Sequence, residues 1–145
     1  MCIKVQLDYN IRFIDSISFI PQPLRDFPKT FSLVELAKGY FSHRFNTSAN
    51  QSYIGNYPEK VDYGYIEMTK ANKKLFDEWY DTTKNMVFNF KEEMHKYCKS
   101  DVDILRRGCL QLKELFVQIS NIDPFQYITI AGVCMTIYKN EFLST

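Results

Sequence analysis

The sequence predicts an α+β chain, rich in helix, that opens on a β-hairpin. Residues 2–8 read CIKVQLD, where Ile3, Val5 and Leu7 alternate with Lys4 and Gln6, the period of a half-buried strand. Residues 70–84 and 90–119 instead repeat large apolar side chains at three- and four-residue steps. Hydrophobic residues make up 46% of the 145 and aromatics 16%, which is enough apolar material for a core in about one domain.

Each element follows from local chemistry. Asp8-Tyr9-Asn10 is a turn signal, and Ile11–Asp15 is a second β-rich run, so the two runs form a hairpin. Pro21 and Pro23 end regular structure after SISFI. A short helical stretch is expected within 24–42, broken at Pro28, restarted by Ser32 as N-cap before LVELAK and stopped at Gly39. Residues 43–65 show no period and read as a long loop, a feature that is functional or partly disordered in most compact domains. Thr69 caps a helix over 70–84, where Leu75 with Trp79 and Phe76 with Tyr80 sit four residues apart. Along 90–119, Met94, Tyr97, Asp101, Leu105, Gly108, Leu112, Leu115, Phe116 and Ile119 share one face. Asp123-Pro124 gives the cap and first turn of a last helix reaching about Tyr138.

Bulk charge shows no strongly basic phosphate-binding surface in the totals, so any DNA contact rests on local geometry. There are 18 basic and 17 acidic side chains, seven and six of them in residues 1–65 and eleven of each in 66–145. The cysteines, Cys2, Cys98, Cys109 and Cys134, have no CxxC spacing, and His43 and His95 stand in no ligand pattern with them, which argues against zinc. The N-terminus alternates like a strand and not like a signal peptide, and the apolar stretch around 128–137 is too short for a bilayer. An intracellular chain with reduced thiols and no membrane partner is expected, its compartment unknown. The 10 tyrosines and 12 phenylalanines fit either a core of large rings or rings that stack on nucleic-acid bases.

One side chain breaks the apolar pattern. Asp101 falls on the core-facing stripe of the long helix, where a carboxylate is costly unless it is paired or binds metal. Tyr97 lies one turn earlier, so a phenol and a carboxylate converge in a YxxxD pattern. The plain alternative is that Ser100 or Asp101 caps or kinks the helix and Asp103 is solvated. Asp15-Ser16 is the second feature, an acid at a strand end, for which turn chemistry is the plain reading.

Taken together, the runs IRFIDSISFIPQPLRDFPKTFSLVELAKGYFSHRFNT, YCKSDVDILRRGCLQLKELF and DPFQYITIAGVCMTIYKNEFL resemble protein-primed family B DNA polymerases of phages, adenoviruses, linear plasmids and large DNA transposons. The first two runs look like the C-terminal part of the 3′–5′ exonuclease domain, and the third like the start of the polymerase region. The likeness implies a partial ribonuclease H-like fold, with residues 1–120 in the exonuclease domain and 121–145 beyond it. It implies that Asp101 is a metal-binding carboxylate of the third exonuclease motif and that Tyr97 orients the attacking water. Ser16 and Ile17 match the pair that contacts the single-stranded 3′ end, and Lys38 matches a lysine that assists the reaction. His43 and the HRFNT loop belong to the resemblance without an assigned role. The implied partners are DNA, as single-stranded 3′ end and primer-template, and a terminal priming protein; the implied cofactor is Mg²⁺.

The departures set limits. A two-metal nuclease site uses four carboxylates, yet no DxE precedes Asp15, and the acids of the second motif and of the polymerase palm are absent. The resemblance therefore implies a piece of a DNA-directed DNA polymerase, catalytically inactive by itself. The alternative is a non-catalytic module from a mobile element that binds single strands or proteins, with Tyr53, Tyr57, Tyr63 and Tyr65 stacking on bases.

Overall fold

The alternating N-terminal residues form the expected hairpin. Strand β1 (Cys2–Gln6) pairs antiparallel with β2 (Asn10–Ile14), with Cys2 opposite Ile14 and Gln6 opposite Asn10. The structure is a computed structural model and describes residues 2–6, 10–33 and 39–143. Its contacts divide the chain into two units, Met1–Leu36 with Asp103–Thr145, and Ala37–Val102.

In the first unit, β2 leads into a 3₁₀ turn over Ser16–Ser18, then a second over Leu24–Asp26 that runs into the one-turn helix α1 (Phe27–Thr30). Pro28 does not break this segment as expected. It occupies the first turn of α1, where its missing N–H costs nothing. Ser32 is not an N-cap either: its φ of 53° is left-handed, whereas a capping residue is extended. The expected LVELAK helix falls on residues 34–38, outside those described.

The other unit holds the apparent loop 43–65, and this region is ordered by its rings. Short 3₁₀ turns at His43–Phe45, Ser48–Asn50, Lys60–Tyr63 and Tyr65–Glu67 flank strand β3 (Ile54–Gly55). Gly64, with φ at 71°, joins the last two turns in a conformation that a side chain would oppose. Helix α2 (Lys70–Thr83) begins as expected at Thr69, whose hydroxyl accepts from the Asn72 amide at 3.3 Å. Strand β4 (Phe88–Asn89) then pairs antiparallel with β3, Ile54 opposite Asn89.

Two aromatic groups fill this unit. Phe41, Phe88 and Phe90 are buried, with Phe45, Tyr53, Tyr57, Met94 and Tyr97 packed around them. Phe76, fully buried, is ringed by Tyr40 at 5.0 Å, Tyr63 at 5.3 Å, Trp79 at 5.4 Å, Tyr65 at 5.5 Å and Tyr80 at 5.6 Å between centroids. All four loop tyrosines thus serve packing: Tyr53 and Tyr57 lean on Phe88, and Tyr63 and Tyr65 on Phe76. Tyr63 is buried among these rings, while Tyr53, Tyr57 and Tyr65 keep part of their surface open.

Helix α3 (Phe90–Ser120) contributes Phe90–Val102 to the second unit and Asp103–Ser120 to the first. Its inner face differs in part from the expected stripe. Ile104 and Gly108 are buried, while Leu115 and Ile119 are 50% and 73% exposed. The expected Leu105, Leu112 and Phe116 do pack on the core, joined by Ile104. A left-handed Asn121, with φ at 54°, ends the helix, its amide donating to the Val117 carbonyl.

The last helix also starts later than expected. Asp123 does act as a cap, accepting from the Phe125 amide at 3.0 Å, but only for a 3₁₀ turn over Pro124–Gln126. Helix α4 (Ile130–Phe142) begins at its own cap, Thr129, whose hydroxyl accepts from the Gly132 amide. Phe19, Ile20, Phe27, Ile104 and Val133 form the core of this unit. Arg12 donates to the Phe125 carbonyl, tying the hairpin to the segment between α3 and α4.

Candidate functional site

The site is built on the first half of α3, and its start is fixed by side chains. Asn89 accepts from the Glu92 amide at 3.4 Å, while its own amide donates to the Glu92 carboxylate at 3.1 Å. This is a variant of the capping box, an Asn-x-x-Glu signal that the sequence reading passed over. Within the helix that follows, Tyr97 and Asp101 lie four residues, about one turn, apart.

Tyr97 is half-buried and held by two rings. It stacks on Phe41 with centroids 5.1 Å apart and planes 25° apart, and His43 meets it edge-on at 5.5 Å. Such ring pairs contribute about 0.5–1.5 kcal/mol beyond simple burial. Asp101 is half-buried, and its Oδ1 is withdrawn from solvent. The neighbouring acid behaves differently. Asp103 accepts from Arg106 at 2.8 Å and pairs with Arg107 at 3.1 Å, and the Arg106 bond is the main cause holding its carboxyl below the usual range. Of the two acids in the SDVD run, Asp101 is the one with an inward oxygen.

Ser16 and Ile17 belong to the first unit, Tyr97 and Asp101 to the second. Asp15 caps the turn that carries Ser16, its Oδ1 accepting from the Ile17 amide at 3.1 Å, so the strand-end reading of this acid is sound. Ile17 is 55% exposed, and Ser16 is half-buried with its carbonyl accepting from the Phe19 and Ile20 amides. Lys38 lies outside the described residues.

Sequence reasoning gave His43 no place, and the structure puts its ring against Tyr97. Next to it, the Ser42 and Tyr63 hydroxyls are both buried. They lie close enough to interact without a hydrogen bond of ordinary geometry, and burial pushes the Tyr63 phenol well above its usual value. Among the described residues, no three Asp, Glu, His or Cys side chains are grouped to hold an ion. One carboxylate does not make a two-metal site, because Mg²⁺ depends on several oxygen ligands. An open groove of about 640 Å³ in the first unit, lined in part by Phe19, Ile20, Phe31 and Leu112, includes none of the expected site residues.

Comparison with known proteins gives the class. The profile of the family described as DNA polymerase type B, organellar and viral, matches residues 1–144, and the chain belongs to that family. Three curated relatives are each named "Probable DNA polymerase". The one from Ascobolus immersus is 26% identical over 140 residues, 94% of this chain and 11% of its own length. The one from Neurospora intermedia is 24% identical over 140 residues, 93% of this chain and 14% of its own length. The one from Podospora anserina is 26% identical over 143 residues, 97% of this chain and 11% of its own length. The chain thus spans about a seventh or less of the relatives it matches. No solved structure matches it.

Proposed function

We propose that the chain is the segment of a DNA-directed DNA polymerase that carries the third exonuclease motif, acting in DNA replication on primer-template and on single-stranded 3′ ends. The observation that carries this reading is Asp101, whose Oδ1 is buried one turn from Tyr97 in a chain matched by the family over nearly its whole length. A partial ribonuclease H-like fold, with helices beside an antiparallel hairpin, accords with the same reading.

In this reading Tyr97 aligns a water molecule through its phenol. The Phe41 and His43 rings fix the plane of that phenol, which reduces the ordering left to be done at reaction. Asp101 would supply one carboxylate to a Mg²⁺ site, whose further acids would come from polypeptide outside the matched segment. Ser16 and Ile17 contact the 3′-terminal nucleotides, and Lys38 assists at the phosphate. A terminal protein that primes synthesis is the expected partner of the whole enzyme.

The chain alone is expected to have neither nuclease nor polymerase activity. The test is incubation with Mg²⁺ and a 5′-labelled single-stranded oligonucleotide. Steady shortening from the 3′ end that disappears in Asp101→Ala would refute this expectation. In a longer polymerase carrying the segment, Tyr97→Phe and Asp101→Ala should each remove exonuclease activity and spare polymerisation. Retention of full exonuclease activity in both would end the reading.

A further inference from the structure

We propose that α4 carries a docking surface for the polypeptide that type B polymerase relatives possess outside the matched segment. The helix is apolar on two faces. Ile130, Val133 and Ile137 turn into the core of the first unit, with Val133 fully buried. Cys134, Met135, Tyr138 and Phe142 form a second stripe at steps of one, three and four residues. Met135, Tyr138 and Phe142 are 56%, 51% and 72% exposed. Tyr138 and Phe142 stack on each other with centroids 5.4 Å apart, so the stripe is a continuous ridge. Leu143 extends it at 59% exposure.

A helix apolar all round is normally a buried one. Here only one side is covered, and the open side has the spacing with which a helix anchors in an apolar groove. The surroundings select the occupant. Lys139 and Glu141 are the only charged residues of α4 and are of opposite sign, so the ridge offers nothing to a phosphate backbone. No helix among the described residues is long and apolar enough to cross a membrane. The relatives supply a protein occupant: the match covers 11–14% of their length, so most of their polypeptide lies outside it. The occupant is therefore an apolar groove or helix face of the polymerase polypeptide beyond this segment.

Hydroxyl-radical footprinting tests the proposal. The isolated chain is compared with a chimera in which it replaces the matched segment of the Podospora anserina relative. Met135 and Tyr138 should oxidise several-fold more slowly in the chimera, while Met86, 59% exposed in the other unit, reacts alike in both. Equal reactivity of Met135 and Tyr138 in the two proteins would overturn the proposal. A second arm uses the isolated chain alone. Tyr138→Lys with Phe142→Lys should leave its thermal midpoint unchanged, whereas Val133→Ala lowers it; a fall as large as that of Val133→Ala means that the ridge serves the chain's own fold. Protection that develops with concentration in the isolated chain, alongside a dimer in sedimentation, would make a second copy the occupant and likewise refute the idea.

Discussion

Gly108 sets how closely α3 approaches α1. A Cβ at this position would lie 2.5 Å from Phe27 Cδ2 and 3.2 Å from Phe31 Cδ2, and Phe27 is buried and has no room to yield. Gly108→Ala gains about 1 kcal/mol of helix propensity, but overpacking costs about 1–3 kcal/mol, with so close a contact at the upper end. The net effect is a loss, read as a lower urea midpoint. A second residue-scale prediction concerns Asp77. Lys60 donates to it at 2.5 Å and the Tyr65 hydroxyl at 2.9 Å, and these bonds, Lys60 first, hold its carboxyl below the usual range. A depressed native value means that this stabilisation is complete above the unfolded value of about 3.9 and is lost as pH falls through the native one. Asp77→Asn should therefore flatten the urea midpoint against pH below about pH 4 and leave its neutral-pH slope untouched. Asp101 was legible in the sequence because a carboxylate on an apolar stripe is an anomaly that periodicity exposes. Phe41 and His43 were not, because α2 and a folded loop separate them along the chain from the tyrosine they touch.

Among elements, the long helices were the easiest to read. Fourteen residues of α2 and thirty-one of α3 repeat their pattern often enough to outweigh local ambiguity. The short pieces were misread for identifiable reasons. Asp-Pro is a good start for a turn as well as for a helix, and Thr129, a better-placed cap, starts α4 instead. The 43–65 segment carries no period because its order comes from rings gathered on Phe76 and Phe88 and not from repeated hydrogen bonds. Phe76→Ala should accordingly cost about 3–5 kcal/mol and erase most of the near-UV circular dichroism of the second unit while far-UV helix signal largely persists. An unchanged near-UV spectrum would mean that this ring does not organise its neighbours.

At the scale of the whole molecule, the chain combines two aromatic-rich cores with much uncovered apolar surface. Phe142, Ile119, Val87 and Ile66 are each about two-thirds exposed or more. The β1–β2 sheet has only two strands among the described residues, so each has an unpaired edge. The isolated chain should therefore aggregate at moderate concentration without forming a discrete dimer, and Ile66→Lys should raise the concentration at which light scattering appears. Fold class at the level of helices plus a hairpin was readable from periodicity alone. The two-unit organisation was not, because it depends on which rings meet, and α3 passes from one unit to the other with no break in its pattern.

Trp79 is the only indole in the chain, and it sits among phenols: the Tyr40, Tyr63 and Tyr57 rings lie 5.0, 5.5 and 6.3 Å away. At such separations light absorbed by the tyrosines is passed to the indole before they emit. Exciting the tyrosines of the folded unit should give light at tryptophan wavelengths, and phenol emission should rise when the cluster comes apart. The molecule thus carries its own optical ruler for the assembly of the ring-filled half.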